Sequence, residues 1–170
     1  LFMWDGATWV RVLQEPIYGL AIQVGNSDVW WAIRSKENGG AQLSRSDNAG
    51  RTWRRLATFA LGASQLVADS TTNRTLYLLR NEYGSSGGPK LVRLDARNEV
   101  ISTVLNVGYE PGVFDRRPLA IAIDAATGDL YVATDANGSV PMRVWHSQNA
   151  DDPTPAAVFW QEQSEYAAPT

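Results

Sequence analysis

Cysteine is absent from the chain, so neither a disulfide framework nor a thiolate metal site can be built from it. Histidine occurs once, at position 146. A lone imidazole excludes a multi-histidine zinc site and leaves no basis for a Ser-His-acid set. No glycine-rich phosphate loop is present. No uninterrupted apolar run reaches the ~18 residues that would nominate a membrane span. No window carries a sustained apolar stripe at the helical period, so helix is poorly supported. Net charge is −3, which gives no electrostatic case for nucleic acid or anionic lipid. No signal peptide and no initiating methionine are seen. The chain opens "LFMWDGATW", and a processed or incomplete N-terminus is expected.

What is present is tryptophan, glycine and proline, at 7, 14 and 8 residues of 170. That composition suits one β-rich, turn-rich domain, long enough to bury a core. The chain also repeats. "YGLAIQVGNSDVWWAI" from Tyr18, "SQLVADSTTNRTLYLL" from Ser64 and "PLAIAIDAATGDLYVA" from Pro118 share one grammar. Each has an apolar strand, a polar turn and a second apolar strand with an aromatic. Trp30, Tyr77 and Tyr131 are read as equivalent. Their spacings, about 47 and then about 54 residues, lie near the period of a propeller blade.

Each pair is followed by a longer loop and a further pair, "AQLSR" with "WRRLATF", "KLVRL" with "EVISTVLNV", and "MRVWHS" with "AVFWQE". Four strands joined by hairpins give an up-and-down antiparallel sheet. The first strand of each unit is the most apolar and is expected innermost, with both faces buried. The last carries charge and suits an outer edge. The predicted fold is an all-β propeller of four-stranded antiparallel blades, with about three and a half blades in the sequence, as part of a larger ring of about six to eight. The divisions are a half blade over 1–13, blades over 17–60, 63–107 and 117–162, and a tail over 163–170 without a strand.

One turn has a fixed recipe. "SDNAGRTW" places Ser46, Asn48, Gly50, Thr52 and Trp53 in the pattern Ser-x-Asn-x-Gly-x-Thr-Trp. Asn48 can accept backbone N–H groups, Gly50 can take positive φ, and Trp53 can fold back over the blade. This resembles the Asp-box, or BNR repeat, with Asn48 in the usual acid position. Gly6, Thr8 and Trp9 match its second half, with Trp4 where the acid belongs. Ser147 and Asn149 in "HSQNADDP" are read as a more eroded copy. The resemblance implies a structural hairpin clamp, away from any ligand face.

Asp-box propellers occur among sialidases, xyloglucan-type glycosidases, sorting receptors and photosynthetic assembly factors, so fold alone does not assign chemistry. A sialidase would need an arginine triad. "FDRRPL" at Phe114–Leu119 is a faint echo, and Glu165 beside Tyr166, near the tail, is a poor pair because adjacent residues on an extended chain point opposite ways. A glycosidase needs two carboxyls ~5–9 Å apart. Glu110 and Asp115, on a loop entering an inner strand, are the pair to test. "DANG" from Asp135 and "DAATGD" from Asp124 resemble pieces of an oxygen-ligand loop without completing a calcium spacing. Arg51, Arg54 and Arg55 read as a solvated basic rim. No catalytic, cofactor or metal residue is therefore assigned.

The sequence expectation is a non-catalytic interaction module that docks on a protein partner or larger assembly, extracytoplasmic and without a membrane-spanning segment. Tyr83, Tyr109, Glu110 and Asp115 are its candidate contacts. Carbohydrate is a further partner class, and the alternative reading is a fragment of an extracellular Asp-box glycoside hydrolase. Exposed Trp30, Trp31 and Trp145 in a cleft would favour the hydrolase; buried indoles would favour the interaction module.

Overall fold

A computed structural model of the chain describes residues 1–23, 25–37, 39–59, 63–69, 75–80, 90–106, 118–134 and 142–166. Strands β1 (Phe2–Trp4) and β2 (Trp9–Arg11) form a hairpin of their own. Three four-stranded sheets follow. The first holds β3 (Ile17–Ile22), β4 (Trp30–Ser35), β5 (Ala41–Ser46) and β6 (Arg54–Phe59). The second holds β7 (Ala63–Ala68), β8 (Thr75–Arg80), β9 (Lys90–Asp95) and β10 (Ile101–Asn106). The third holds β11 (Pro118–Ile123), β12 (Leu130–Thr134), β13 (Met142–Ser147) and β14 (Gln161–Tyr166). Strand order in each sheet follows chain order, every neighbour is antiparallel, and no α-helix occurs among the described residues. These are the blades of a β-propeller.

The first strands lie beside one another, β3 against β7 and β7 against β11, as an inner edge must. They are not the most buried. In β3 only Ala21 is fully buried, whereas five of the six residues of β8 are. The reason is geometric, since an edge strand has a neighbour on one side only and the middle strands β4, β5, β8 and β9 are flanked on both. A register shift recurs at the same place in every first strand, at Ile17/Gly19, Ala63/Gln65 and Pro118/Ala120.

That recurrence aligns the blades residue by residue and corrects the aromatic alignment. Ala21 pairs with Trp31, Val67 with Tyr77 and Ala122 with Tyr131. Trp31, not Trp30, therefore matches the two tyrosines; Trp30 shares its place with Leu76 and Leu130. Adjacent tryptophans on a strand point to opposite faces, so a one-residue slip in reading "VWW" moves the wrong indole into the core. The last sheet brings a second correction. Its fourth strand runs Gln161–Tyr166 rather than over Ala157–Glu162, with a 3₁₀ turn at Pro155–Ala157 before it. Residues 164–166, expected in a strandless tail, pair with β13.

Two cores lie between the blades rather than within them. One joins Ala21, Trp31, Ile33 and Leu43 of the first blade to Leu66, Leu76, Leu78, Val92 and Leu94 of the second. The other joins Tyr77, Leu79, Leu91 and Val104 to Ile121, Leu130 and Val132. Strand periodicity explains the split: alternate residues of β8 and β9 face opposite neighbours. Gly19 sits where the first two blades approach closely. A Cβ there would lie 3.2 Å from Leu66 Cβ and 3.3 Å from Ile33 Cδ1. Gly19→Ala is expected to cost about 1–2 kcal/mol by overpacking, read as a lowered urea midpoint at unchanged m-value.

Candidate functional site

The best-specified local structure is the turn between β5 and β6. Ser46 is 1% exposed, and its Oγ accepts the backbone N–H of Gly50 at 2.8 Å and of Asn48 at 3.3 Å while its hydroxyl donates to Asn48 Oδ1 at 3.0 Å. Asn48 Oδ1 also accepts the Thr52 amide at 2.8 Å, and Nδ2 donates to Thr52 Oγ1 at 2.9 Å. Gly50 takes φ +80. Its carbonyl accepts from Trp53 Nε1 at 2.8 Å. The amide of Ala49, itself at φ 52, donates to Asp28 O in the neighbouring turn at 2.8 Å. Ser46, Asn48, Gly50, Thr52 and Trp53 thus form one closed bonding set.

The N-terminal hairpin uses a shorter version. Gly6 has φ 103. The acceptor is Asp5 rather than the residue at Trp4. Asp5 Oδ1 takes the amides of Ala7 at 2.9 Å and Thr8 at 2.8 Å. These bonds, that of Thr8 foremost, hold the Asp5 carboxyl below the usual range. Trp9 is 68% exposed. In the third blade the set reappears with a longer loop. The Asn149 amide donates to Ser147 Oγ at 3.4 Å, and Asn149 Oδ1 accepts the Phe159 amide at 2.9 Å. Phe159 and Trp160 therefore stand where Thr52 and Trp53 do, ten residues after the acceptor instead of four. Sequence reading missed Trp160 because the insertion breaks the spacing; the surviving signal was an aromatic at the foot of the last strand.

The opposite end of the first blade carries a polar crevice of about 460 Å³, lined by Glu15, Arg34, Ser35, Lys36, Glu37 and Gln42. Ser46 pairs with Trp30 at one end of β4 while Arg34 and Ser35 lie at the other, so crevice and clamp are at opposite ends of the sheet. Arg34 is held by Ser44 Oγ at 3.1 Å and Glu15 Oε1 at 3.2 Å. Hydrogen bonding to its own backbone amide, and then Arg34, keep the Glu15 carboxyl below its ordinary range. Tyr18 donates to Ser35 Oγ at 3.1 Å. The result is a mixed-charge rim on a fixed support.

Tyr83, Tyr109, Glu110 and Asp115 lie outside the described residues, as do Phe114, Arg116, Arg117 and Asp135. None of the tryptophans to be inspected is exposed. Trp31 is 2% exposed, Trp145 is half-buried against the second core, and Trp30 is half-buried with its Nε1 donating to Ser27 O. Of the basic rim, Arg54 is committed to Glu99 of the next blade, and this bond first holds the Glu99 carboxyl low. His146 stacks on Tyr131 at 4.6 Å and bonds Asp129 at 2.9 Å. Asp124 closes its own turn by accepting the Ala126 amide at 2.8 Å. No group of three or more acids and histidines is arranged for a metal among the described residues, and no helix there is long and apolar enough to cross a membrane.

No family model and no curated protein matches the chain. Solved structures do. One is the GH74 xyloglucanase from Xanthomonas campestris, which is 14% identical with a TM-score of 0.69 over 92% of this chain. The match takes in 25% of that enzyme, so the chain spans about a quarter of its length. The likeness establishes the fold and leaves chemistry to the chain's own residues.

Proposed function

We propose that the chain is a non-catalytic β-propeller interaction module, extracytoplasmic, that docks on a protein partner or larger assembly through the end of the sheets bearing Arg34, Lys36 and Glu37. The observation that carries this reading is the use of the indoles. Trp31 is in an inter-blade core, and Trp30, Trp53 and Trp160 each donate to a carbonyl that fixes a turn or a neighbouring strand. They build a rigid support, and the support presents charges of both signs. The turn over Ser46–Trp53 is, in this reading, an Asp-box that clamps the far end of the blade. Its closed bonding set and the repetition of that set at Ser147–Trp160 support the assignment.

Capture from the source extract tests it. The wild-type chain is expected to retain one defined partner that a Lys36→Glu/Glu37→Lys variant loses, with unchanged thermal unfolding. Equal capture by both proteins would sink the docking surface. The second reading, a segment of an Asp-box glycoside hydrolase, draws on the likeness to the xyloglucanase. Release of reducing sugar from xyloglucan by the purified chain would establish it over the first.

A further inference from the structure

The outer strands of the three blades are not alike. β6 reads "RRLATF" and β14 reads "QEQSEY", and charge of this kind discourages pairing at a sheet edge. β10 reads "ISTVLN" and carries no charge. The second blade has a neighbour packed on each face, yet β10 pairs with β9 alone. The register fixes what that edge presents. Asp95 donates its amide to Val100 O at 3.0 Å. Ile101 then lies opposite Leu94, Ser102 opposite Arg93 and Thr103 opposite Val92. In an antiparallel ladder bonded pairs alternate with unbonded ones, so Val100 and Ser102 turn their backbone groups toward β9. The N–H and C=O groups of Ile101 and Thr103 therefore point out of the sheet, and both residues are exposed. The next outward carbonyl, Val104 O, already accepts from Trp160 Nε1 at 2.9 Å, which ends the open run.

A cavity of about 480 Å³ borders the same edge. Thr75, Asp95, Val100 and Ser102, which share one face of the second sheet, form one side of it. Pro153 and Pro155 form another, on the loop that sets the third blade apart. Its charged lining is balanced, with Arg93 and Arg97 against Asp95 and Asp151. Arg93 is already committed to the carbonyls of Ala150 and Asp152. Val100, at the mouth, is 55% exposed.

We propose that β10 is a docking edge for an extended, uncharged segment of a partner protein. The segment adds to the second sheet as a further strand and exchanges backbone hydrogen bonds with Ile101 and Thr103. Its alternate side chains enter the cavity beside Val100 and Ser102, so the edge supplies affinity and the cavity supplies selectivity. Three observations select this occupant. Outward N–H and C=O groups on residues two apart match the repeat of a β backbone. A strand without charge, beside a cavity whose charges cancel, is complementary to a segment of neither sign. Valine and proline walls suit an apolar side chain. The inference is independent of the docking surface proposed above: Thr75 and Asp95 lie at the clamp end of the sheets, opposite to Arg34 and Lys36.

Selection from a phage library of short random peptides, displayed to the immobilised chain, tests the proposal. Enrichment of a family without charge and rich in β-branched residues is expected. A synthetic peptide of that family should slow amide exchange at Ile101 and Thr103. It should bind at least tenfold more weakly to Thr103→Pro, in which proline removes an outward N–H and no ladder bond. Val100→Lys, at an exposed position, should weaken binding to a similar degree with thermal unfolding unchanged, and it decides the matter if the proline variant does not fold. No enriched family, a family of charged peptides, or equal affinity for wild type and Val100→Lys would overturn the proposal. So would self-association of the wild-type chain in sedimentation velocity that Val100→Lys abolishes, since the edge would then serve a second copy.

Discussion

Gly50→Val is expected to destabilise the fold by about 3 kcal/mol, from ~1–2 for a side chain in the left-handed region and ~1–3 for overpacking. The backbone cost arises because Gly50 has φ +80, a region that a β-branched residue enters only under strain. The steric cost arises from Trp30. A Cβ at Gly50 would lie 3.0 Å from Trp30 Cζ3 and 3.1 Å from Cε3. The indole cannot retreat easily, because its Nε1 is tied to Ser27 O. Gly6→Ala separates the two costs, since Gly6 has φ +103 and nothing within 4 Å of its Cβ position. It should lose ~1 kcal/mol from backbone strain alone. A thermal midpoint lowered by ~6–12 °C in Gly50→Val is expected for a chain of this length, with a much smaller shift in Gly6→Ala. Equal shifts in the two variants would show that Trp30 does not brace the turn.

That contrast also explains how much of the molecule could be read from its residues. Blade count, strand order and the Ser46–Trp53 turn were legible because they depend on local chemistry. Alternating apolar residues, an Asn two residues before a Gly, and a Trp after a Thr each act within one hairpin. What was not legible depends on partners distant in sequence. Trp30 and Trp31 are adjacent and chemically identical, and only pairing with Ala21 decides which faces the next blade. Asp5 could take over the acceptor role assigned to the position of Trp4 because the hairpin is shorter by one residue. Trp160 was hidden by an insertion that keeps the Asn149 bonds while breaking their spacing. The crevice at Glu15, Arg34 and Lys36 was missed altogether, since Glu15 and Arg34 are brought together by strand pairing and not by a motif.

The same insertion sets the second large effect. Arg93 is 6% exposed, and its Nη1 donates to Ala150 O at 2.8 Å and also to Asp152 O. A guanidinium buried this far is stabilised by what it binds, and here it binds the loop that distinguishes the third blade from the first. Its neighbour Tyr77 is 1% exposed, and burial, then Asp69 and Asp151, push that hydroxyl far above its ordinary range. That hydroxyl therefore stays protonated and adds no charge beside the arginine. Arg93→Met keeps the length and apolar stem but leaves the buried Ala150 carbonyl without its donor. The expected loss is about 3 kcal/mol, since hydrogen bonds from a charged group are each worth ~1.5–3 and an orphaned carbonyl costs ~1–3. Arg93→Lys should recover about half, having a charge but no fork. Arg45→Met is the control. Its side chain is 19% exposed and pairs with Asp47 and Glu99 at the surface, where ion pairs contribute ~0–1 kcal/mol, and its bond to a carbonyl of the next blade, Ala96 O, is single and longer at 3.2 Å. The location of the damage matters as much as its size. Amide exchange should rise first over residues 148–158, before β9 and β10 loosen, because the arginine is anchored in a middle strand and the loop depends on it. Uniform exchange across the second and third blades in Arg93→Met would instead make the residue part of the common core, with no special hold on the insertion.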